Sequence, residues 1–555
     1  MPLSRLNWWL LGAALACFGL VVAATGRSQP ANSAIEPAEG VPYAVEIHSE
    51  RSTFDLSFDA GTRYFVAVSS LGTAAQTYTV SLESQAVPEA VLTPFHPVRP
   101  LNVPADTRGI VSVSPNPSGT VISPTPLESG SFRSAGSQEG SSSPGPRSRT
   151  FHLHAADGSL DDEKQYAAVA ADLVAEGERV RLYLDRQERK SQLVPGVVDE
   201  IIRLFDHDVI PCESRLLGNF RDVDGDGKFS VLLSPWLDRL QGGRTSLGGF
   251  VRGSDFRSDV ERPFSNRCDM MYLNTNVRPG PHLKSLLAHE YAHAVSFSER
   301  LSQPCGEDQP DEEDWLNEAI AHCAENICNA GWSNLDYRVS RYLTDTNQYA
   351  LVVPDYYRAG LWRDHGCRGA TYLFLRWCVD QFGEGLLPAL VRSSDRGIEN
   401  LERATGHRFD DLYRLWTLAL ITPRAVARDS LCRSQAAYRS IDPYGRLTTW
   451  GLVGPRAVPC PPSGSQSITL KGTSTAFVEL SGAGERGVRR IQLSAEPGTM
   501  LQVSLIRSVV DETPRAEARW ISAGDESAGP GKTLLEVRLD GLRGARGGVS
   551  MIGCE

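Results

Sequence analysis

Alternating apolar and polar positions mark both ends of this 555-residue chain, whereas its middle mixes strand-like and helix-like stretches. Between residues 41 and 112 the segments Ala44–His48, Arg63–Val68 and Thr77–Leu82 alternate and are separated by Gly, Asp and Ser turns, which predicts a small antiparallel β-sandwich. Beyond residue 436 the runs Ser467–Leu470, Thr475–Leu480, Leu501–Ile506 and Thr533–Leu539 predict a C-terminal sandwich of the same kind. Residues 113–149 are dominated by Ser, Pro and Gly, a composition that buries no core and predicts a disordered linker open to proteolytic processing. From Thr150 the pattern predicts a helix over 162–176, a strand at Val180–Leu184 and a helix at Pro195–Phe205. Strands at Phe229–Leu233 and Asp269–Leu273 precede helices over 283–297 and 314–325, and 331–430 reads as mostly helical. The expected architecture is an α+β middle domain (150–435) between all-β, sandwich-like N- and C-terminal domains (25–112 and 436–555).

The middle domain carries the chemistry. In the helix around His289-Glu290-Tyr291-Ala292-His293, the two histidines lie four apart on one face, so two imidazole nitrogens can converge on one zinc ion. Glu290, next to the first histidine, is placed to move a proton as general base rather than to bind metal. Leu287, Tyr291, Ala292, Ala294 and Val295 are uncharged, as in a helix buried beneath a site. The five residues alone are equally compatible with two hydrogen-bonded histidines in a core. The next helical stretch, Asp314–Glu325, changes that balance, because its Glu318 offers the oxygen that makes a His2Glu site with one position left for water.

HEYAH followed by WLNEAIAHCAE resembles the gluzincin metallopeptidases, and the surroundings are most like the hyicolysin-like peptidases. Phe220–Leu233 upstream and Gly369–Gly383 downstream fit that group, so the likeness covers roughly residues 151–430. The resemblance implies a zincin-type catalytic domain, one catalytic Zn2+ held by His289, His293 and Glu318, and Glu290 as general base. It further implies a secreted endopeptidase that hydrolyses peptide bonds in a protein or peptide substrate. An aminopeptidase-like exopeptidase of the same clan and a non-enzymatic exported binding protein on a zincin scaffold are the alternatives. The absence of a Gly-x-Met-x-Asn segment upstream of HEYAH speaks against the first, and the intact base and ligands against the second. One departure stands four residues past the third ligand, where thermolysin-like relatives carry an aspartate and this chain has His322. Glu325 is the carboxylate available to support a zinc histidine instead. Gluzincins usually add an oxyanion donor, for which Tyr356, Tyr357, His365 and Tyr372 are candidates and packing is the competing reading.

Asp222-Val-Asp-Gly-Asp-Gly-Lys-Phe-Ser reads first as a tight hairpin turn before the strand at 229–233. Weak Ca2+ binding by Asp222, Asp224 and Asp226 is the alternative, although Leu233 stands where an EF-hand closes with glutamate. The amino terminus, Met1–Arg5 and then an apolar run to Val22-Ala23-Ala24, predicts a signal peptide over 1–24, with an uncleaved membrane anchor as the other reading. Setting aside Cys17 in that segment, the remaining cysteines of the 11 form an even set and predict disulfides throughout, with Cys305, Cys323 and Cys328 around the metal helices. No CxxC pair suggests a structural zinc. These features place the protein outside the cytoplasm, secreted or in a bacterial-type cell envelope, as a monomer. A net charge of −11 without basic runs argues against nucleic acid as a partner.

Overall fold

The computed structural model describes residues 37–101, 147–441 and 454–509, short stretches within these ranges excepted, and a two-residue strand pair at Glu517–Ala518 and Val537–Arg538. The predicted signal peptide, most of the Ser/Pro/Gly linker, most of Thr533–Leu539, and Cys305, Cys432 and Cys554 lie outside the described residues.

Five strands open the chain: β1 Pro42–Val45, β2 Arg51–Phe58, β3 Thr62–Ser70, β4 Thr77–Val87 and β5 Phe95–Pro97. The middle sheet follows with β6 Ser148–His154, β7 Tyr166–Glu176, β8 Val180–Asp185, β9 Phe229–Ser234, β10 Gly249–Phe250 and β11 Met270–Asn274. Its order is β10-β11-β9-β8-β7-β6, with β8, β9 and β11 parallel and the other pairs antiparallel. Every residue of those three parallel strands is buried, as expected for strands covered on both faces. Two expectations fail here. The stretch expected as a helix over 162–176 is mainly β7, because its Ala-rich run has strand partners on both edges and buries Val169 and Ala171. The stretch 222–228 is no hairpin either, because β9 runs parallel to both of its neighbours.

Helices α1 Val197–Arg203 and α2 Ile210–Leu216 are joined by a π-helical turn at Leu204–Val209. Then come α3 Pro281–Leu301, α4 Asp314–Ile327, α5 Asp336–Thr344, α6 His365–Phe382, α7 Leu386–Val391, α8 Gly397–Thr405 and α9 Phe409–Ala425. Pro281 begins α3 in its first turn, where a missing N–H costs nothing, and Gly280 before it adopts φ 138°. Leu283, Leu287, Tyr291, Ala294 and Val295 bury α3 against the middle sheet and α4. None of the described helices is long and apolar enough to cross a membrane.

The last strands are β12 Ala457–Cys460, β13 Gly464–Lys471, β14 Thr475–Ser481, β15 Gly487–Ala495 and β16 Leu501–Val509. They do not close a module of their own. One sheet runs β12-β14-β3-β16-β1-β5 and the other β13-β4-β15-β2, so strands from the two ends of the chain interleave in one sandwich. The N-terminal strands alone would leave β3 and β4 with unpaired edges, which β14 and β16 cover on β3 and β13 and β15 on β4. Leu56, Val66, Leu82, Leu480, Leu493 and Leu505 lie in the shared core, whereas Phe65, Ala67, Phe477 and Ile506 pack into the core of the middle domain. The Arg414 guanidinium of α9 donates to the Val503 carbonyl (2.9 Å) and the Gln502 amide to the Asp410 carbonyl (2.8 Å), tying that sheet to the helices.

The described cysteines also depart from expectation. Cys212 of α2 pairs with Cys328 at the end of α4, closing 116 residues of chain. Cys268, Cys323, Cys367, Cys378 and Cys460 are instead buried thiols without a disulfide partner among the described residues, filling the core as small apolar groups.

Candidate metal centre

Helices α3 and α4 bring the three expected ligands together. His289 Nε2 lies 3.2 Å from His293 Nε2 and 3.2 Å from Glu318 Oε2, and His293 Nε2 is 3.9 Å from the same oxygen. The four-residue spacing on α3 aims both imidazoles one way, and α4 packs across them with Glu318 on the facing side. Two imidazole nitrogens and one carboxylate oxygen within 4.8 Å of one another are a donor set suited to zinc or another first-row divalent ion.

A second triple, His289, His322 and Glu325, also brings three ligand atoms within 4.8 Å of one another. It uses the other side of the His289 ring. Glu325 Oε2 is 3.4 Å from His289 Nδ1, and Glu325 Oε1 is 3.3 Å from His322 Nδ1. Asn334 Nδ2 donates to Glu325 at 2.9 Å and its carbonyl oxygen accepts from Arg338. Both His322 and Glu325 are fully buried, whereas the side chains of His293 and Glu318 keep 11% and 13% exposure. The His289–His293–Glu318 group is therefore the one open to solvent, and Glu325 lies behind His289. His322 occupies the space beneath the site, its ring 4.4 Å from that of His289.

The protein groups give this cluster an uneven charge. Burial alone disfavours the His289 imidazolium, but Glu318 and Glu325 against its two nitrogens lift it to about 10. Burial, opposed in part by Glu318, lowers His293 to about 4. His322 falls to about 3 through burial and the neighbouring His289. Glu325 is held at about 2 because His322 and His289 outweigh its burial. Glu318 stays well below the ordinary carboxylate range, its burial overcome by Arg368 and the two histidines. Glu290, buried beside them, is raised to about 7 chiefly by desolvation.

Arg368 was not foreseen. From the first turns of α6 its Nη1 donates to Glu318 Oε2 (2.9 Å) and its Nη2 lies 2.8 Å from Oε1, a two-pronged pairing on the third ligand. No local pattern announces it, since it stands 50 residues from its partner. Of the oxyanion candidates, Tyr356 is buried beneath the Arg368 guanidinium (5.9 Å to the ring centre). Tyr372 packs edge-on to His322 at 6.5 Å, Tyr357 is 63% exposed, and the His365 ring lies against Tyr337.

No protein-family model matches the chain. Over 159 residues it is 29% identical to the neutral metalloprotease ShpI of Staphylococcus hyicus, a stretch that covers 27% of this chain and 35% of that protein. The similarity supports a metallopeptidase, and the His/Glu groups of α3 and α4 are of the kind that could hold its metal.

Proposed function

We propose that the chain is an exported zinc-dependent endopeptidase, with His289, His293 and Glu318 holding the ion and Glu290 as general base. The observation that carries this reading is the convergence of three metal-ligating atoms beside a buried carboxyl near neutral pKa. Zinc held there by His289, His293 and Glu318 would lower the pKa of water at the site to about 7 and would serve as a Lewis acid toward a scissile carbonyl. The remaining work falls to the chain. Glu290 would take a proton from water and return it to the leaving amine; in the metal-free protein desolvation raises its carboxyl to about 7. Glu325 keeps the His289 Nδ1 proton on the far side of the ring, so Nε2 faces Glu318. Arg368 fixes the plane of the Glu318 carboxylate and keeps it ionised.

The edge of the middle sheet favours cleavage within a chain over trimming from its end. β10 is the outermost strand, and a Cβ on Gly249 would sit 3.7 Å from Glu290 Cγ. An extended peptide can add to such an edge through main-chain hydrogen bonds, which needs no free terminus. The Cys212–Cys328 disulfide fits an oxidising compartment.

Zinc-loaded protein mixed with internally quenched peptides, with Glu290→Gln in parallel, tests the assignment. Cuts at interior bonds are expected. Stepwise release from one terminus would favour the exopeptidase, and activity that survives Glu290→Gln would overturn the mechanism.

A further inference from the structure

The geometry points to a second metal site, for a hard divalent cation such as Ca2+, built by Asp222, Asp224 and Asp269 on the loop leading into β9. Carboxylate oxygens of these three residues lie within 4.8 Å of one another. Asp226, the third acid of the sequence motif, does not belong to the group. Its carboxylate pairs with Arg181, whose side chain is 1% exposed, while its other oxygen caps the Lys228 N–H at 2.9 Å. The place it vacates is taken by a residue more than 40 positions downstream, immediately before β11.

Asp269 is the observation that turns an acidic loop into a site. It is 0% exposed, its Oδ2 has no hydrogen-bond partner, and it makes no ion pair among the described residues. Its Oδ1 accepts from the Val223 N–H at 2.9 Å, which draws the loop over it. A buried carboxyl oxygen left without a partner is costly, and a cation is the partner that would remove the cost while satisfying Asp222 and Asp224 as well. The loop is shaped in advance. Asp222 accepts from the N–H groups of Gly225 (2.8 Å), Asp226 (3.1 Å) and Gly227 (3.1 Å), a wrap that needs positive φ at Gly225 (75°) and Gly227 (74°). Arg149 pairs with one oxygen of Asp224 and offsets part of the local charge. An all-oxygen donor set at a partly exposed loop selects calcium over zinc, and three protein carboxylates with water completing the shell suit moderate affinity.

The site lies apart from His289, His293 and Glu318 in sequence and ligand type, so it stands or falls independently of the peptidase reading. Bound there, the cation would clamp the loop before β9 to the start of β11, two adjacent parallel strands of the sheet that covers α3. The test is thermal melting of the full-length protein after EGTA treatment, titrated with CaCl2 and separately with MgCl2. A saturable rise in Tm with calcium is expected, with half-effect at about 10⁻⁵–10⁻³ M. Asp269→Asn and Asp224→Asn should each shift that midpoint at least tenfold upward. Asp226→Asn should leave the calcium-dependent rise in place even if its starting Tm is lower. No saturable rise in the wild type would overturn the site, as would a rise lost in Asp226→Asn but kept in Asp269→Asn. Because Asp224 is on the surface loop, its variant decides the matter if Asp269→Asn fails to fold.

Discussion

Glu325→Gln probes how the back of the metal centre controls its front. The substitution keeps size and removes a charge that accepts from Asn334 Nδ2 (2.9 Å) and faces His289 Nδ1 (3.4 Å) and His322 Nδ1 (3.3 Å). An amide has one oxygen for Asn334 Nδ2 and His289 Nδ1, and its NH2 then faces His322 Nδ1, which must turn acceptor by moving its proton to Nε2 in a place with no exposure to water. Loss of such a supporting carboxylate typically costs ten- to a hundredfold in metal affinity, or about 1.4–2.7 kcal/mol, and full burial argues for the upper end. Proton competition acts in the opposite direction. In wild type His289 holds its proton to about pH 10, so a metal binding below that pH must displace it, and apparent affinity should rise about tenfold per pH unit from 7 to 9. Without Glu325 the imidazolium is weaker, and the slope should flatten. The assay is a zinc competition titration against a chromophoric chelator at pH 7, 8 and 9, with circular dichroism to confirm folding. At pH 9 the variant should bind more weakly than wild type, with a shallower approach from pH 7. The same His289 shift should stabilise the metal-free protein fully below about pH 6.5, and that contribution should be lost as pH rises towards 10. A wild-type affinity independent of pH, or equal affinities at pH 9, would refute the coupling between Glu325 and the ligand.

Glu290→Gln should lower peptide cleavage by about 10²–10⁴-fold while zinc stoichiometry, measured by elemental analysis, stays unchanged. Arg368→Met leaves Glu318 with the His289 imidazolium as its facing cation, and should destabilise the metal-free protein by less than the about 3–5 kcal/mol of a buried charge stripped of every partner. The loss should be smaller with zinc bound, because the ion takes over the charge; equal losses by calorimetry with and without zinc would contradict that role. Glu213 is fully buried, neither carboxylate oxygen has a hydrogen-bond partner, and desolvation raises its pKa well above the ordinary value. A raised acid destabilises the fold as pH climbs above its unfolded value near 4.5, so Glu213→Gln should raise Tm at pH 8 and change it little at pH 4. Replacing Cys212 and Cys328 by serine should cost about 2–5 kcal/mol, read from denaturant unfolding, since the bridge closes a long loop.

What could be read from the sequence is what depends on neighbours along the chain. His289 and His293 share a face because a helix repeats every 3.6 residues, and Glu318 is visible because a second helix follows after a short loop. The strand ranges of both ends were legible for the same reason, since alternation is local. Their partners were not. Ser69 and Thr475 share a hydrogen bond across 406 residues, and nothing in either segment states whether it pairs with its own neighbours or with the far end of the chain. The run at 166–176 shows the opposite failure: its local signal is helical, and two flanking strands override it. The two proposed metal sites follow one rule. The motif residues His289, His293, Asp222 and Asp224 are adjacent enough to be recognised, whereas the residues that complete each site arrive from elsewhere in the fold. Arg368 reaches Glu318 from α6, Asn334 reaches Glu325 from the turn before α5, and Asp269 replaces Asp226 because β11 lies beside β9. Asp226 shows why motif spacing alone misleads: Arg181 of β8 and the Lys228 N–H hold its carboxylate, and the acids whose oxygens gather are Asp222, Asp224 and Asp269.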